Sequence, residues 1–455
     1  MMIKIYSYRY THKKSYFVPI IFEKNIKTVN NTPEDKKIRK IEMIRDNYLD
    51  VKKIVQDKKF LKLFRVVESH GGVLRFVGGA VRDALAGLKG FDIDLATDLS
   101  PDELVEACTE NGIKTVPIGI KFGTVGVIIN DQVLEVTSLR KDIKTDGRHA
   151  EVVFTTDWEA DASRRDLTIN AVYADEKGNV FDYYNGIEDL EKGIVRFIGL
   201  PAQRIKEDYL RIMRFFRFYS IFGKTEIDKK ALKACIENRD GLKNLSMERI
   251  RDELFKILLT KNVSKTIRIM FDNEILSYLL PDSKNLDKLD FLIKMVAEEG
   301  LRPNPVRRLF MLYLPDKMLA ENLASRLRLT KKQKEEFINW ATIHPQLSEF
   351  MNEESLLVLI YKYGKDFCQN KLLLLQAAQM NKIPHLSETL KFINDAIVPI
   401  FPVKGKDIIN AGVQNHHNIG IILDELQEIW IKDNFSATRD ELLQIAAELV
   451  KSKSA

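Results

Sequence analysis

The sequence predicts an α+β fold, in which a head built on a mixed or antiparallel sheet is followed by an all-α region. Short apolar runs bounded by turn residues are frequent before residue 185, and apolar residues recur every three to four positions after Gly186. No fixed-length repeat or low-complexity tract occurs in either part. Strands followed by a long series of helices are typical of α+β proteins.

The first predicted elements surround a glycine pair. A helix is predicted over 54–69, ended by Gly71-Gly72, and the apolar run 74–77 predicts a strand. Gly78-Gly79 then predicts a tight turn into a short helix rich in Ala and Leu. The next helix should begin at Ser100, which can form a capping box with Glu103.

A hairpin and further strands complete the predicted head. The runs 124–129 and 133–138 alternate around Asn130-Asp131 and predict two paired strands. Residues 140–149 are polar and predict a loop before a short strand near 152–154. A second strand pair is predicted at 168–173 and 180–183. Helical spacing follows at 204–222, 246–259, 332–343 and 355–363.

Length and composition limit the protein class. At 455 residues the chain is too long for one ordinary domain, so two to four are expected. Hydrophobic content of 45% and charged content of 30% are ordinary for a soluble globular protein. No apolar run approaches the roughly 18 residues of a membrane-spanning helix. The three cysteines are too widely spaced for a metal motif or a disulfide framework, which favours a reducing compartment.

The positive charge is concentrated at the amino terminus. Residues 1–31 contain six Lys or Arg and one Glu, so they contribute +5 of the formal net charge of +6. Any RNA-binding surface must therefore be local. The segment contains one Arg and no clear helical period, which favours a poorly ordered extension over an organellar presequence. We expect a cytoplasmic protein, with organellar targeting as the alternative.

Two carboxylates follow the glycine pair at a spacing that predicts metal binding. Asp92 and Asp94 lie two residues apart in a predicted strand, so their side chains share one face and can ligate Mg²⁺. Glu135 could present a third carboxylate from another strand. Gly78 and Gly79 allow backbone N–H groups to approach a polyphosphate. The alternative is that Asp92 and Asp94 are solvated charges at the end of a strand. Together with the glycine pair, however, the two carboxylates predict nucleotidyl transfer with two metal ions.

Several longer motifs carry a resemblance to a known family. They are Gly78-Gly79-Ala80-Val81-Arg82-Asp83, Asp92-Ile93-Asp94-Leu95-Ala96-Thr97, Arg164-Arg165-Asp166-Leu167-Thr168-Ile169-Asn170-Ala171, Tyr184-Asn185-Gly186-Ile187-Glu188-Asp189-Leu190, Glu207-Asp208-Tyr209-Leu210-Arg211 and Leu245-Ser246-Met247-Glu248-Arg249-Ile250. The chain resembles the class II tRNA nucleotidyltransferases and bacterial poly(A) polymerases over roughly residues 55–275, and more loosely beyond.

The resemblance implies a polymerase-β-like nucleotidyltransferase head, a Mg²⁺ cofactor, and template-independent addition of CCA to tRNA from CTP and ATP. It also implies a domain order. The expected domains are a basic extension (1–50), the catalytic head (51–185), a helical neck with the nucleotide-selecting helix (186–275), and a helical body (276–395) and tail (396–455) that bind tRNA. No feature of the sequence predicts an oligomeric state.

Four arginines and one aspartate are further candidates for nucleotide binding. Arg82 lies one turn beyond the glycines and could contact the triphosphate, or it could lie on a helix surface. The family implies that Arg165 binds nucleotide and that Asp166 holds the ribose or shapes the pocket. A structural ion pair is the alternative for both residues. Arg214 and Arg217 could reach the triphosphate or the tRNA end, or form a solvated basic stripe.

Asp208 and Arg211 are the candidates for choosing the base. In a helix their i, i+3 spacing places them on one face. Arg offers donors and Asp acceptors, which complements the amino group and ring nitrogen of both cytosine and adenine. The family implies that this pair replaces a nucleic-acid template. The alternative is an intrahelical salt bridge, which would contribute about 0.3–0.5 kcal/mol.

Three alternatives to CCA addition remain. A poly(A) polymerase shares almost every catalytic residue, and partial A-adding or CC-adding enzymes are also similar. Complete CCA-adding relatives have a flexible loop at the position of 140–149, so its presence favours complete addition. A non-catalytic RNA-binding protein with a degenerate head is a further alternative, which the intact Asp92, Asp94, Asp208 and Arg211 disfavour.

Overall fold

The structure is a computed structural model that describes residues 58–88, 93–146, 149–277, 279–281, 283, 285–410 and 416–454. The chain divides into two compact units, residues 1–282 and 283–455. Asp92 and the predicted basic extension at 1–50 lie outside the described residues. The finer division into head, neck, body and tail stays a prediction.

A seven-stranded sheet organises the first unit. Its strands are β1 (Leu74–Val77), β2 (Asp94–Thr97), β3 (Lys114–Gly119), β4 (Thr124–Ile129), β5 (Gln132–Ser138), β8 (Val172–Ala174) and β9 (Val180–Asp182). They lie in the order β3-β4-β5-β2-β1-β8-β9. The pairing of β2 with β5 is parallel and the other pairings are antiparallel, which confirms the predicted mixed sheet.

Helices cover both faces of this sheet and continue beyond it. Those of the first unit are α1 (Lys58–Ser69), α2 (Gly79–Leu85), α3 (Pro101–Glu110), α4 (Trp158–Ser163), α5 (Gly186–Lys192), α6 (Pro201–Glu207), α7 (Leu210–Phe222), α8 (Lys229–Glu237), α9 (Met247–Leu258) and α10 (Val263–Asp272). The main core lies between one sheet face and α1 and α3, and includes Phe60, Leu104 and Val136. A smaller core around Tyr173 and Ala162 lies on the other face.

Two local predictions are confirmed in detail. The β4–β5 hairpin turns at Asn130 and Asp131, with φ of 50° and 59° and Ile129 opposite Gln132. The type I′ turn of a two-residue hairpin requires positive φ at both turn positions, which Asn and Asp tolerate. At the start of α3 the Ser100 hydroxyl accepts the Glu103 N–H, and the Glu103 carboxylate accepts the Ser100 N–H.

Two predictions in the head were wrong. The expected polar loop at 140–149 is instead a two-stranded antiparallel sheet of β6 (Arg140–Asp146) and β7 (His149–Phe154). A polar strand lacks the apolar alternation by which strands are recognised. The expected strand at 168–173 begins with a 3₁₀ turn at Thr168–Asn170. There the Asp166 carboxylate accepts the Leu167 N–H and the Asn170 amide, a local pattern that competes with strand formation.

The described part of the second unit is helical, as predicted. Its helices are α11 (Leu286–Glu298), α12 (Pro305–Tyr313), α13 (Lys317–Arg326), α14 (Lys331–Thr342), α15 (Glu353–Tyr363), α16 (Lys365–Gln379), α17 (Leu386–Asp395), α18 (Gly405–Asn410), α19 (His416–Lys432) and α20 (Arg439–Ser454). Leu426, Trp430 and Leu442 form part of a core near its carboxyl-terminal end. None of the helices in the described part of the chain has the length and apolar composition needed to cross a membrane.

The three cysteines are all buried and unbonded. Burial raises the pKa of the Cys108 thiol to about 11 and that of Cys368 to about 12, and it also raises the pKa of Cys235. These thiols are therefore protonated at neutral pH.

Candidate active site

An arginine-rich cleft of about 870 Å³ in the first unit collects most of the predicted site residues. Those at its lining are Gly78, Gly79, Arg82, Asp94, Arg165, Asp166, Asp208, Arg211, Arg214 and Arg217. Nine Arg or Lys and four Asp side chains line the cleft, so its formal charge is 9 − 4 = +5. An excess of positive charge on a concave surface attracts polyanions such as nucleoside triphosphates.

Two of the predicted metal ligands face each other across neighbouring strands. Asp94 is the first residue of β2 and lies opposite Glu135 of β5 in the parallel register. Both residues are exposed, and carboxylate oxygens are preferred ligands of hard divalent cations. Asp92 lies outside the described residues, among which no group of three metal-ligating side chains occurs. The donors present fit a divalent ion, and the assignment of Asp92, Asp94 and Glu135 as ligands stays a prediction.

The glycine turn places Arg82 beside the cleft. Gly78 has φ of 65°, a conformation that side chains with a β-carbon rarely adopt, and it leads directly into α2. Arg82 is 8% exposed, so the alternative of a helix-surface arginine was wrong. Its Nη1 donates to Asn170 Oδ1 at 2.5 Å and its Nη2 lies 2.7 Å from Asp83 Oδ1. The guanidinium is thereby fixed at the rim of the glycine turn.

Asp161, which the sequence analysis did not single out, pairs with two neighbouring arginines. Its carboxylate is 1% exposed and lies 2.7 Å from Arg164 Nη2 and 3.1 Å from Arg165 Nη2. The Tyr173 hydroxyl also donates to it, at 2.8 Å. Burial alone would raise the pKa of Asp161, but Arg165 and Arg164 hold it below its ordinary value. The i, i+3 and i, i+4 spacing from Asp161 to the arginine pair is the sequence signal that could have identified it.

Replacing Asp161 with Asn is expected to lower the free energy of unfolding at pH 7 by about 3–5 kcal/mol, because two arginines that are only 15% and 19% exposed lose their counter-ion. The folded-state pKa is depressed, so the stabilisation is fully present above the unfolded pKa of about 3.9, begins to decline below it, and is lost as pH falls through the folded pKa. Thermal unfolding of the wild type and of Asp161→Asn, at pH 7 and near pH 3.5, measures the difference in stability between them. The exposed Asp102→Asn is the control, and an Asp161→Asn protein as stable as the wild type at pH 7 contradicts the assignment.

Asp166 pairs with Arg214 and not with its neighbour Arg165. Its Oδ2 accepts Arg214 Nε at 2.6 Å, and its Oδ1 accepts the Leu167 N–H and Asn170 Nδ2, both at 2.9 Å. Burial opposes the charged form, but Arg214 and the hydrogen bond from Asn170 hold the pKa of Asp166 well below its usual range. Asp166 therefore links the end of α4 to α7 as a charged group. Its contact with a ribose stays a prediction.

Asp208 and Arg211 do not share one continuous helix, so the geometric basis predicted for this pair was wrong. The chain is extended at Asp208, with φ of −153° and ψ of 109°, and this residue separates α6 from α7. Asp208 Oδ1 accepts the Leu210 N–H at 3.0 Å. An Asp that bonds the backbone two residues ahead stabilises a turn in place of a helix.

Each member of the pair instead has a partner from another position. Asp208 Oδ2 lies 2.9 Å from Arg249 Nη2 of α9. Arg211 Nη1 lies 2.7 Å from Glu207 Oε2. Asp208, Arg211 and Arg249 all line the cleft. A carboxylate and guanidinium groups therefore remain available at one wall, although the predicted helical spacing is absent.

Arg217 and the helix α9 extend the cationic wall. Arg217 Nη1 lies 3.1 Å from Glu253 Oε1, and Lys256 Nζ lies 3.2 Å from the same oxygen. Both Arg217 and Glu253 are largely buried, so the alternative of a solvated stripe does not describe Arg217. Arg249 and Lys256 line the cleft and were missed, although the sequence of α9 had matched a family motif.

Two family models match parts of this chain. Residues 74–196 match the family model described as the poly A polymerase head domain, and residues 225–286 match one described as a probable RNA and SrmB-binding site of polymerase A. A head of this family, with facing carboxylates beside a cationic cleft, defines a nucleotidyltransferase.

Relatives that align over most of the chain identify the family more specifically. The human mitochondrial CCA tRNA nucleotidyltransferase 1 is 38% identical over 399 residues, which are 85% of this chain and 88% of the relative. A CCA-adding enzyme of Staphylococcus epidermidis is 28% identical over 84% of this chain and 95% of its own length. The chain belongs to the CCA-adding tRNA nucleotidyltransferase family, and membership implies the use of a divalent metal ion.

A solved structure shares the fold. The CCA-adding enzyme of Bacillus stearothermophilus, solved in complex with CTP, aligns with a TM-score of 0.70 and 24% identity. The alignment covers 87% of this chain and 98% of that enzyme.

Proposed function

We propose that the protein adds C, C and A to the 3′ end of tRNA, using CTP and ATP and releasing pyrophosphate. The observation that carries the proposal is the placement of Asp94, Asp208 and Arg211 in one cationic cleft, in a chain of the CCA-adding family. Asp94 belongs to the predicted metal-binding pair, whereas Asp208 and Arg211 offer an acceptor and donors for a base. One cavity can therefore hold both the reacting phosphate and the base that must be chosen.

The chain's own residues have three roles in the proposed reaction. Asp92 and Asp94 would hold Mg²⁺, with Glu135 as the candidate third ligand. When bound, the metal activates the attacking hydroxyl and balances charge on the triphosphate. Arg82 and Arg165 bind the phosphates beside the glycine turn, and Arg214 and Arg217 extend this wall. The tRNA 3′-hydroxyl attacks the α-phosphate in line, the bond to the β-phosphate breaks, and pyrophosphate leaves.

Base selection is assigned to Asp208 and Arg211. Cytosine and adenine both present an amino donor beside a ring acceptor, which the carboxylate and the guanidinium complement. Uracil and guanine present a carbonyl where the amino group should be. Binding either of them would place two acceptors together and leave polar groups unpaired, which is strongly disfavoured in a desolvated pocket.

A poly(A) polymerase is the alternative that the head alone would allow. The segment 140–149 favours complete CCA addition, because it is present at the position where partial CC-adding relatives are shortened. Its first part is the strand β6, which pairs with β7 beside the end of β5. A separate A-adding enzyme would share the same cleft.

One incubation separates these activities. A tRNA lacking CCA is expected to gain two nucleotides with CTP alone and three with CTP and ATP together, because the pocket accepts both bases in turn. Product lengths on a denaturing gel measure the result. A tRNA that already ends in CCA is the control and should not be extended. Long A-tails would support the poly(A) polymerase, and no extension at all would contradict nucleotidyl transfer.

We infer a cytoplasmic location, with the mitochondrion as the alternative. The single Arg among residues 1–31 supports the cytoplasm. The human relative, which is named a mitochondrial enzyme, and the formal charge of +5 on residues 1–31 support the alternative. Imaging of the tagged full-length chain, with and without residues 1–31, distinguishes the two locations.

A further inference from the structure

We propose that an exposed apolar surface on the head sheet binds the last nucleotides of the tRNA acceptor strand. This surface, the apolar platform, consists of Val116 and Ile118 of β3 and Val133 of β5. The inference rests on the proposed function, because it assigns a place to the strand whose 3′-hydroxyl attacks.

The platform is continuous with the predicted metal site. Asp94, Glu135, Gly126 and Val116 lie opposite one another in register on β2, β5, β4 and β3. Residues opposite one another in a sheet point to the same face. Because neighbouring strands are about 4.8 Å apart, Val116 lies only about 10 Å from Glu135. These four residues therefore form a row across the sheet, from the carboxylates of Asp94 and Glu135 to the edge strand β3.

Gly126 makes this surface flat. A β-carbon at Gly126 would lie 2.6 Å from Val116 Cγ2, 2.7 Å from Ile118 Cδ1 and 3.0 Å from Val133 Cγ1. The side chains of Val116, Ile118 and Val133 therefore cover the position where a larger residue would project from the sheet. Val133 is 52% exposed and Ile118 is 48% exposed. The opposite face of β4 and β5 is buried in the main core, so the platform is not part of that core.

The position of the platform fits an acceptor strand. In the sheet order, β1 with its glycine turn lies on one side of β2, and β5, β4 and β3 lie on the other. The cationic cleft for the triphosphate includes the glycine turn. In-line attack brings the hydroxyl and the leaving pyrophosphate to opposite sides of the α-phosphate. The attacking strand is thus expected on the β5 side of Asp94, where the platform lies.

The chemistry of the platform fits unpaired nucleotides of any sequence. Every base has an apolar face, and binding through such faces is tolerant of sequence. The platform side chains have no hydrogen-bonding groups with which to select a base. Lys114 and Lys121 are exposed near the same edge and can contact phosphates. An apolar surface bordered by lysines fits a single RNA strand better than it fits a second protein surface.

The test replaces two platform residues with serine. The double variant Ile118→Ser with Val133→Ser is expected to raise the KM for tRNA lacking CCA about 5- to 10-fold, while the KM for CTP and the kcat at saturating tRNA stay unchanged. A weakened contact to one substrate alone raises only that KM. The matched control is Val73→Ser, which lies 42% exposed just before β1. Val133→Ser alone should give a smaller effect, and thermal unfolding verifies that each variant is folded.

A binding measurement keeps this inference separate from the proposed function. The dissociation constant of the double variant is expected to exceed that of the wild type for a tRNA with its full single-stranded acceptor end. The two constants should agree for a tRNA trimmed of that end. Failure of the wild type to add nucleotides would contradict the proposed function but leave this comparison intact. If the double variant binds tRNA as tightly as the wild type, the platform assignment is overturned. A change in the sedimentation of the variant would then indicate that the platform is a protein interface instead.

Discussion

Replacing Asp94 with Asn is expected to lower kcat for CMP addition by at least about 10³-fold, because a neutral amide binds a divalent cation poorly and the developing charge loses its stabilisation. The substitution preserves size, and Asp94 is at the exposed end of β2, so folding should be unaffected. Single-turnover incorporation of CMP at saturating CTP and tRNA measures the effect. Binding of tRNA, measured separately, should remain close to that of the wild type.

Asp131→Asn provides a matched control for Asp94. Asp131 lies at the tip of the β4–β5 hairpin with φ of 59°, a conformation that Asn also tolerates. The control removes the same charge from the same sheet without approaching the cleft, and full activity is expected. Turnover by Asp94→Asn within tenfold of the wild type would contradict the metal assignment and favour solvated strand-end charges.

Replacing Asp208 with Asn is expected to reduce the preference for CTP over UTP by about 10- to 100-fold, since a hydrogen bond to a charged group contributes about 1.5–3 kcal/mol. The carboxylate can only accept hydrogen bonds, whereas the amide can also donate one to the uracil carbonyl. The ratio of kcat/KM for CTP and UTP, measured with both nucleotides in competition, gives the change in selectivity. The variant should remain folded because an amide oxygen can still accept from Arg249.

The exposed Asp252→Asn on α9 serves as the control for base selection, and its CTP preference should equal that of the wild type. Selectivity is the informative measurement, because a loss of stability lowers activity with both nucleotides alike. An Asp208→Asn enzyme that is slower with CTP and UTP by the same factor would assign Asp208 a structural role. The pair with Arg249 at 2.9 Å would then be the principal contact of Asp208.

Features set by local chemistry could be predicted from the sequence. The capping box at Ser100 and the hairpin at Asn130 and Asp131 depend on residues within a few positions of one another. Most strands with alternating or continuous apolar residues were also identified, although β3 was not. The placement of Asp94 beside Glu135 follows from a parallel pairing of distant strands, and it was anticipated only because both residues are carboxylates in predicted strands.

Features set by distant partners could not be predicted. The extended residue between α6 and α7 interrupts a run with good helical spacing, because Asp208 bonds Leu210 and Arg249 instead of continuing the helix. The ion pairs between Asp166 and Arg214 and between Arg217 and Glu253 join segments 48 and 36 residues apart. Sequence spacing identifies which charges are present, but only the packing of α4, α7 and α9 determines which of them meet.

The three buried thiols have a practical consequence for spectroscopy. Maleimide reagents react with thiolates, and buried cysteines with raised pKa supply almost none at neutral pH. A cysteine introduced at one exposed position, such as Gln132 beside the hairpin tip, would therefore be labelled selectively while Cys108, Cys235 and Cys368 stay in place. A fluorophore at the hairpin tip would report arrival of the acceptor end in real time, in a protein whose native interior is unaltered.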